Sequence, residues 1–97
     1  MKKLNMEKAI KRYNDIMYDC GIEHMTIGTN FSSPDTENFT LADMVHEAEY
    51  WLSCYYEAGH VRCDDRFCGE VCYKIWLSET GKLKRFINAY KPFLQDR

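Results

Sequence analysis

The sequence contains no apolar run of about twenty residues, the length that a helix needs to cross a bilayer. Lys2 and Lys3, near the N-terminus, are not followed by an apolar stretch, so no secretory signal peptide is visible. We therefore expect a cytoplasmic protein with no membrane partner.

Three further sequence patterns are missing. A glycine-rich phosphate loop is absent, which argues against a nucleotide-binding protein of that class. There is also no internal repeat and no heptad run, and this excludes solenoids and long coiled coils. The 97 residues, of which 14% are aromatic, are enough for one small core. We expect residues 1–97 to form a single helical domain.

The five cysteines are an odd number in a chain without an export signal, which argues against a disulfide framework. Four soft metal ligands follow the spacing H-x2-C-x4-C-x3-C: His60, Cys63, Cys68 and Cys72. Four such ligands can bind a structural zinc ion, although the paired C-x2-C motifs typical of zinc sites are absent. The alternative is that Cys68 and Cys72 are small core residues. Cys68 could also be a catalytic thiol, but nearby acids would raise its pKa.

The stretch from Thr40 to Gly59 has the clearest helical signals. Thr40 is a favoured N-cap, and Asp43 completes a capping box three residues later. Apolar residues recur at steps of three and four, and Gly59 provides a stop.

Two further helical regions flank this helix. Residues 4–20 carry an apolar stripe that Gly21 ends, and residues 22–39 are a long loop whose ends Phe31 and Phe39 should fix to the core. A third helix begins after Asp64 or Asp65 and ends before Pro92. Residues 78–81 suggest a break in it, although one long kinked helix also fits.

These patterns predict an all-α fold, in which three or four helices pack as a small bundle with a long loop after helix one. The predicted core residues are Trp51, Leu52, Tyr55, Val71, Ile75, Phe86 and Ile87.

Charge is distributed unevenly along the chain. Residues 35–70 hold nine acids and two bases, whereas residues 71–97 hold six bases and two acids. The predicted second helix has no base on its outer face, and its acids are candidates for docking a basic partner: Asp43, Glu47, Glu49 and Glu57. The basic C-terminal helix could instead lie against them and neutralise them.

The stretches GHVRCDDRFC and SETGKLKRFINAYKPF resemble parts of small accessory proteins of bacterial mobile elements. The resemblance covers about the second half of the chain and assigns no role to any residue.

The sequence contains no recognisable pair of a nucleophile and a general base. We therefore expect a non-catalytic interaction module that binds another macromolecule. The expected partner is a protein rather than a nucleic acid, and a homo-oligomer is compatible with the sequence. Two alternatives stay open: a thiol- or metal-dependent enzyme, and an acidic inhibitor that mimics nucleic acid and blocks a DNA- or RNA-binding protein.

Overall fold

The computed structural model describes residues 3–58 and 66–95, and the side chains of residues 3–57 and 74–94. Its elements in chain order are α1 (Met6–Asp19), two 3-10 turns (Glu23–Met25 and Pro34–Thr36), α2 (Leu41–Ala58), α3 (Arg66–Tyr90) and a short α4 (Pro92–Gln95). The described residues contain no strand. The predicted all-α fold with a long loop after the first helix is confirmed.

Helix α1 is delimited by two local signals. The Lys8 backbone N–H donates to Asn5 Oδ1 at 3.1 Å, which makes Asn5 the N-cap. Gly21 follows the helix with a φ of 75°, a left-handed conformation that costs glycine little. The predicted end is therefore confirmed, while the helix begins two residues later than predicted.

Helix α2 begins with the predicted capping box. The Thr40 N–H donates to Asp43 Oδ2 at 2.8 Å, and the Asp43 N–H donates back to Thr40 Oγ1 at 3.3 Å. These hydrogen bonds from Thr40 lower the pKa of Asp43. The helix ends at Ala58, and the predicted stop at Gly59 lies outside the described residues.

Helix α3 runs without a break through residues 78–81, where the sequence suggested one. Glu79, Thr80 and Leu83 are buried there, so the inward-facing stripe continues in phase across the polar segment. The Thr80 hydroxyl donates to the Trp76 carbonyl at 2.8 Å, a bond compatible with helical geometry. The predicted stop before Pro92 is confirmed, and Pro92 begins α4, since proline is well tolerated at a first helical position.

The core lies where all three long helices meet. Its largest fully buried side chains include Tyr13 of α1, Met44 of α2, and Leu83 and Phe86 of α3. Phe86 was correctly predicted to be buried. Trp51, Leu52, Tyr55 and Ile87 only border the core, being partly buried.

One core prediction is wrong, because Ile75 is 51% exposed. The Val71 side chain lies outside those the structure describes. The exposure of Ile75 follows from the unequal lengths of the helices. Helix α3 has 25 residues and extends about 37 Å, whereas α1 has 14 residues and extends about 21 Å, so α1 cannot cover all of α3. The described buried residues of α3 lie between Glu79 and Tyr90, and Ile75 precedes them.

Among the helices of the described residues, none combines the length and apolar composition that a membrane crossing requires.

Candidate functional site

The predicted zinc ligands fall where the structure gives no side-chain detail. His60 and Cys63 lie outside the described residues, and Cys68 and Cys72 are on α3 but outside the described side chains. A structural zinc ion there stays a prediction. Within the described part of the chain, no three His, Cys, Asp or Glu side chains are grouped closely enough to bind a metal ion.

Two of the four predicted docking acids, Glu49 and Glu57, line a shallow groove on α2 that Ile87 of α3 also lines. The charges of the other two, Glu47 and Asp43, add to burial in raising the pKa of the Tyr13 hydroxyl of α1. Docking of a basic partner on these four acids stays a prediction.

Glu49 already has a counter-charge. Lys91 Nζ, just past the end of α3, lies 2.7 Å from Glu49 Oε2. The sequence suggested, as an alternative to docking, that the basic C-terminal region neutralises the acids of α2. The structure shows such a neutralisation at Glu49. Both side chains are well exposed to solvent, so the pair contributes at most about 1 kcal/mol to stability.

The loop between α1 and α2 is attached to α1 by one amide side chain. Asn14 Nδ2 donates to the Ile27 carbonyl at 2.8 Å, and Asn14 Oδ1 accepts from the Ile27 N–H at 2.8 Å. The amide therefore satisfies both backbone groups of Ile27, much as a neighbouring strand would.

Buried hydroxyls fix the rest of the loop. Thr36, fully buried, donates to the Thr26 carbonyl at 2.7 Å and is also within 2.9 Å of the Ser33 carbonyl. The hydroxyls of Thr26 and Thr29 lie 2.6 Å apart, and the Thr29 N–H donates to Ser32 Oγ at 2.8 Å. This network holds the backbone in one conformation, although the loop has little regular secondary structure.

The loop presents one aromatic ring to solvent beside a second ring on α1. Phe31 is 59% exposed and Tyr18 57% exposed, and their ring centroids lie 6.2 Å apart. Both rings line a depression of about 460 Å³ together with Asn14 and Asp15. Asp15 is exposed and forms no ion pair with any residue in the described ranges 3–58 and 66–95. We call Asp15, Tyr18 and Phe31 the aromatic patch.

No sequence pattern predicted this patch. The predicted attachment of the loop to the core is confirmed for Phe39 and wrong for Phe31. Asn14 and the buried threonines hold the loop instead. The available signal was the position of Phe31, alone among polar residues in the run Thr29 to Ser33.

A second polar cluster lies where α1, α2 and α3 come together. The Tyr55 hydroxyl donates to Glu79 Oε2 at 3.0 Å, and the Cys20 thiol lies near the same carboxylate. Burial, together with the nearby Glu79, raises the pKa of Cys20 to about 12. The Cys20 thiol therefore stays protonated at neutral pH.

This protonation predicts slow modification of Cys20. In the folded protein at pH 8, we expect iodoacetamide to alkylate Cys20 on the order of a hundredfold more slowly than in the urea-unfolded chain. Peptide mapping by mass spectrometry over a time course would measure both rates. Equal rates would show that the Cys20 thiol is not protected by burial.

The same pKa shift makes the fold sensitive to alkali. As the pH rises above the ordinary thiol pKa of 9.0, the unfolded chain loses this proton while the folded chain keeps it up to about pH 12. The folded state then binds more protons, so stability falls with rising pH across this window. Replacing Cys20 by serine should reduce that fall.

No protein-family model matches the chain, and no curated protein and no solved structure matches it.

Proposed function

We propose that this protein is a non-catalytic interaction module that docks another protein on the aromatic patch. The supporting observation is the pair of rings, each more than half exposed, on a loop held by its own hydrogen bonds. Aromatic side chains dominate the binding energy of many protein interfaces. Two adjacent exposed rings on a small domain are a surface that the fold itself does not need.

The rigid support favours tight docking. A loop already held in one conformation loses little conformational entropy when a partner binds. Asn14 and Thr36 provide this support from below, and neither side chain is itself exposed. The patch is thus preorganised by polar contacts.

The chemistry of the patch favours a cationic residue on the partner. The faces of Tyr18 and Phe31 attract an arginine or lysine side chain, and the carboxylate of Asp15 lies in the same depression to pair with its charge. The expected partner is a protein that inserts a basic side chain between these groups. The basic character of this partner is the one expected from the sequence. The docking surface is different, because the sequence suggested the acids of α2.

The test compares capture of partner proteins by tagged variants expressed in the native host. We expect one or more proteins to co-purify with the wild type and to be lost with the double variant Tyr18→Ala, Phe31→Ala. Loss of aromatic anchors of this kind weakens binding about thirtyfold or more. Asp15→Asn should weaken capture less and reduce its dependence on salt.

Tyr50→Ala is the matched control, since Tyr50 is a similarly exposed aromatic residue on α2. It should capture the same proteins as the wild type. Retention of the partner by the double variant would contradict the proposal. Loss of the partner on changing Glu47 and Glu57 to lysine, with the double variant unaffected, would place docking on the acids of α2 instead.

A further inference from the structure

A cleft of about 440 Å³ lies between the beginning of α1 and the end of α3. Its polar lining includes the side chains of Lys3, Lys8, Arg12 and Asn88, and the rings of Tyr90 and Phe93 form its apolar part. Among the residues that the structure describes, none that lines this cleft is acidic. We call this site the basic cleft.

The three cations of the basic cleft are Lys3, Lys8 and Arg12. Lys3, Lys8 and Arg12 form no ion pair with any residue in the described part of the chain, whereas Lys82 and Lys91 are each paired with a carboxylate. The Arg12 guanidinium lies 5.7 Å from the centroid of the Tyr90 ring, a cation–π contact that holds it at the cleft. Arg12 is therefore held at the cleft, and none of the three cations is neutralised by an ion pair within the described residues.

This arrangement does not serve the stability of α1. Lys8 lies in the first turn, where a positive charge opposes the helix dipole. Lys8 and Arg12 are also four residues apart, so their like charges repel each other. An anion bound between them would remove both penalties.

The positive surface is short. Further along α1 come Asp15 and Asp19, and Asp19 pairs with Lys82 of α3 at 2.9 Å. A nucleic-acid strand requires a continuous basic track for its successive phosphates, and these acids interrupt one. The volume of the cleft lies within the range of small-molecule sites.

We infer that the basic cleft binds a small ligand with two or more phosphate groups, of the size of a nucleoside diphosphate. Arg12 can bind phosphate oxygens through two parallel N–H donors, and Lys3 and Lys8 supply point charges. The Asn88 amide and the Phe93 ring are placed to contact the rest of the ligand. The site is separate from the aromatic patch, and neither proposal depends on the other.

Titration calorimetry with sodium pyrophosphate and with ADP at low ionic strength tests this inference. We expect one site per chain for each probe, with affinity that falls as salt is added. Lys3→Gln and Lys8→Gln should each weaken binding about tenfold. Lys11→Gln is the matched control, an exposed lysine on the same helix that does not line the cleft, and it should bind like the wild type.

Arg12→Gln removes a contact with Tyr90 as well as a charge, so its effect is read only if thermal unfolding shows a folded protein. If the Arg12→Gln variant is not folded, the two lysine variants still test the inference. Absence of binding to both probes would overturn the inference, as would equal weakening by Lys11→Gln. Affinity for a single-stranded oligonucleotide that increases with its length and exceeds that for ADP would also overturn it, by showing a nucleic-acid surface.

Discussion

Replacing Phe86 by alanine is expected to lower the free energy of unfolding by about 3–5 kcal/mol. Phe86 is 1% exposed, and its ring centroid lies 6.0 Å from that of Tyr13 and 4.8 Å from that of Tyr90. Truncation removes the buried area of the ring and leaves a cavity that the helices cannot close completely. A small domain has about 5–15 kcal/mol of stability in total, so this loss is a large part of it.

Urea unfolding followed by circular dichroism would measure the effect. Leu77→Ala is the control on the same helix, because Leu77 is 48% exposed, and we expect it to change stability by no more than about 0.5 kcal/mol. Similar losses for the two variants would mean that Phe86 is not at the centre of the packing.

Replacing Asn14 by alanine should have the second-largest effect, and it should affect stability and docking together. Both hydrogen bonds to the Ile27 backbone are lost, at a cost of about 1–3 kcal/mol for the two. The loop is then no longer held against α1, and Phe31 loses its fixed position beside Tyr18. Capture of the partner should weaken although neither ring is altered.

Chemical unfolding and the capture assay would measure the two effects. Asn38→Ala is the control, since Asn38 is exposed on the same loop, does not line that depression and makes no side-chain hydrogen bond to the described residues. It should leave stability and capture nearly unchanged. If Asn14→Ala weakens neither, the loop is held by the buried threonines alone.

The parts of the fold that were predictable from the sequence depend on short-range interactions. The capping box of Thr40 and Asp43 and the left-handed Gly21 each involve residues within a few positions of one another. Such signals are readable because the groups that interact are also close in the sequence.

The errors concern contacts between distant residues. Ile75 lies on the same stripe as Phe86, but it precedes the segment of α3 between Glu79 and Tyr90 in which the described buried residues lie. The polar residues near Gly81 indicate a break when read alone, yet burial of Glu79 and Thr80 keeps α3 continuous. Periodicity shows which face turns inward, but not how far along the helix another element covers it.

The candidate sites were hidden for the same reason. Phe31 and Tyr18 are 13 positions apart, and Lys8 and Asn88 come from opposite ends of the chain. Neither grouping is a motif, because the loop brings the rings together and the pairing of α1 with α3 forms the cleft. The charge balance of residues 35–70 indicated a basic partner, but it could not show that Glu49 is paired with Lys91.

The unequal lengths of α1 and α3 have a consequence for local opening of the backbone. Amide protons between Leu83 and Tyr90 lie in the part of α3 that the core covers, so their exchange with solvent requires most of the fold to open. Residues 74–78 belong to the same helix, but their side chains cover little of the core, and their amides can exchange through smaller openings. Within the part of α3 whose side chains the structure describes, one continuous helix thus spans two levels of local stability, with the boundary near Glu79.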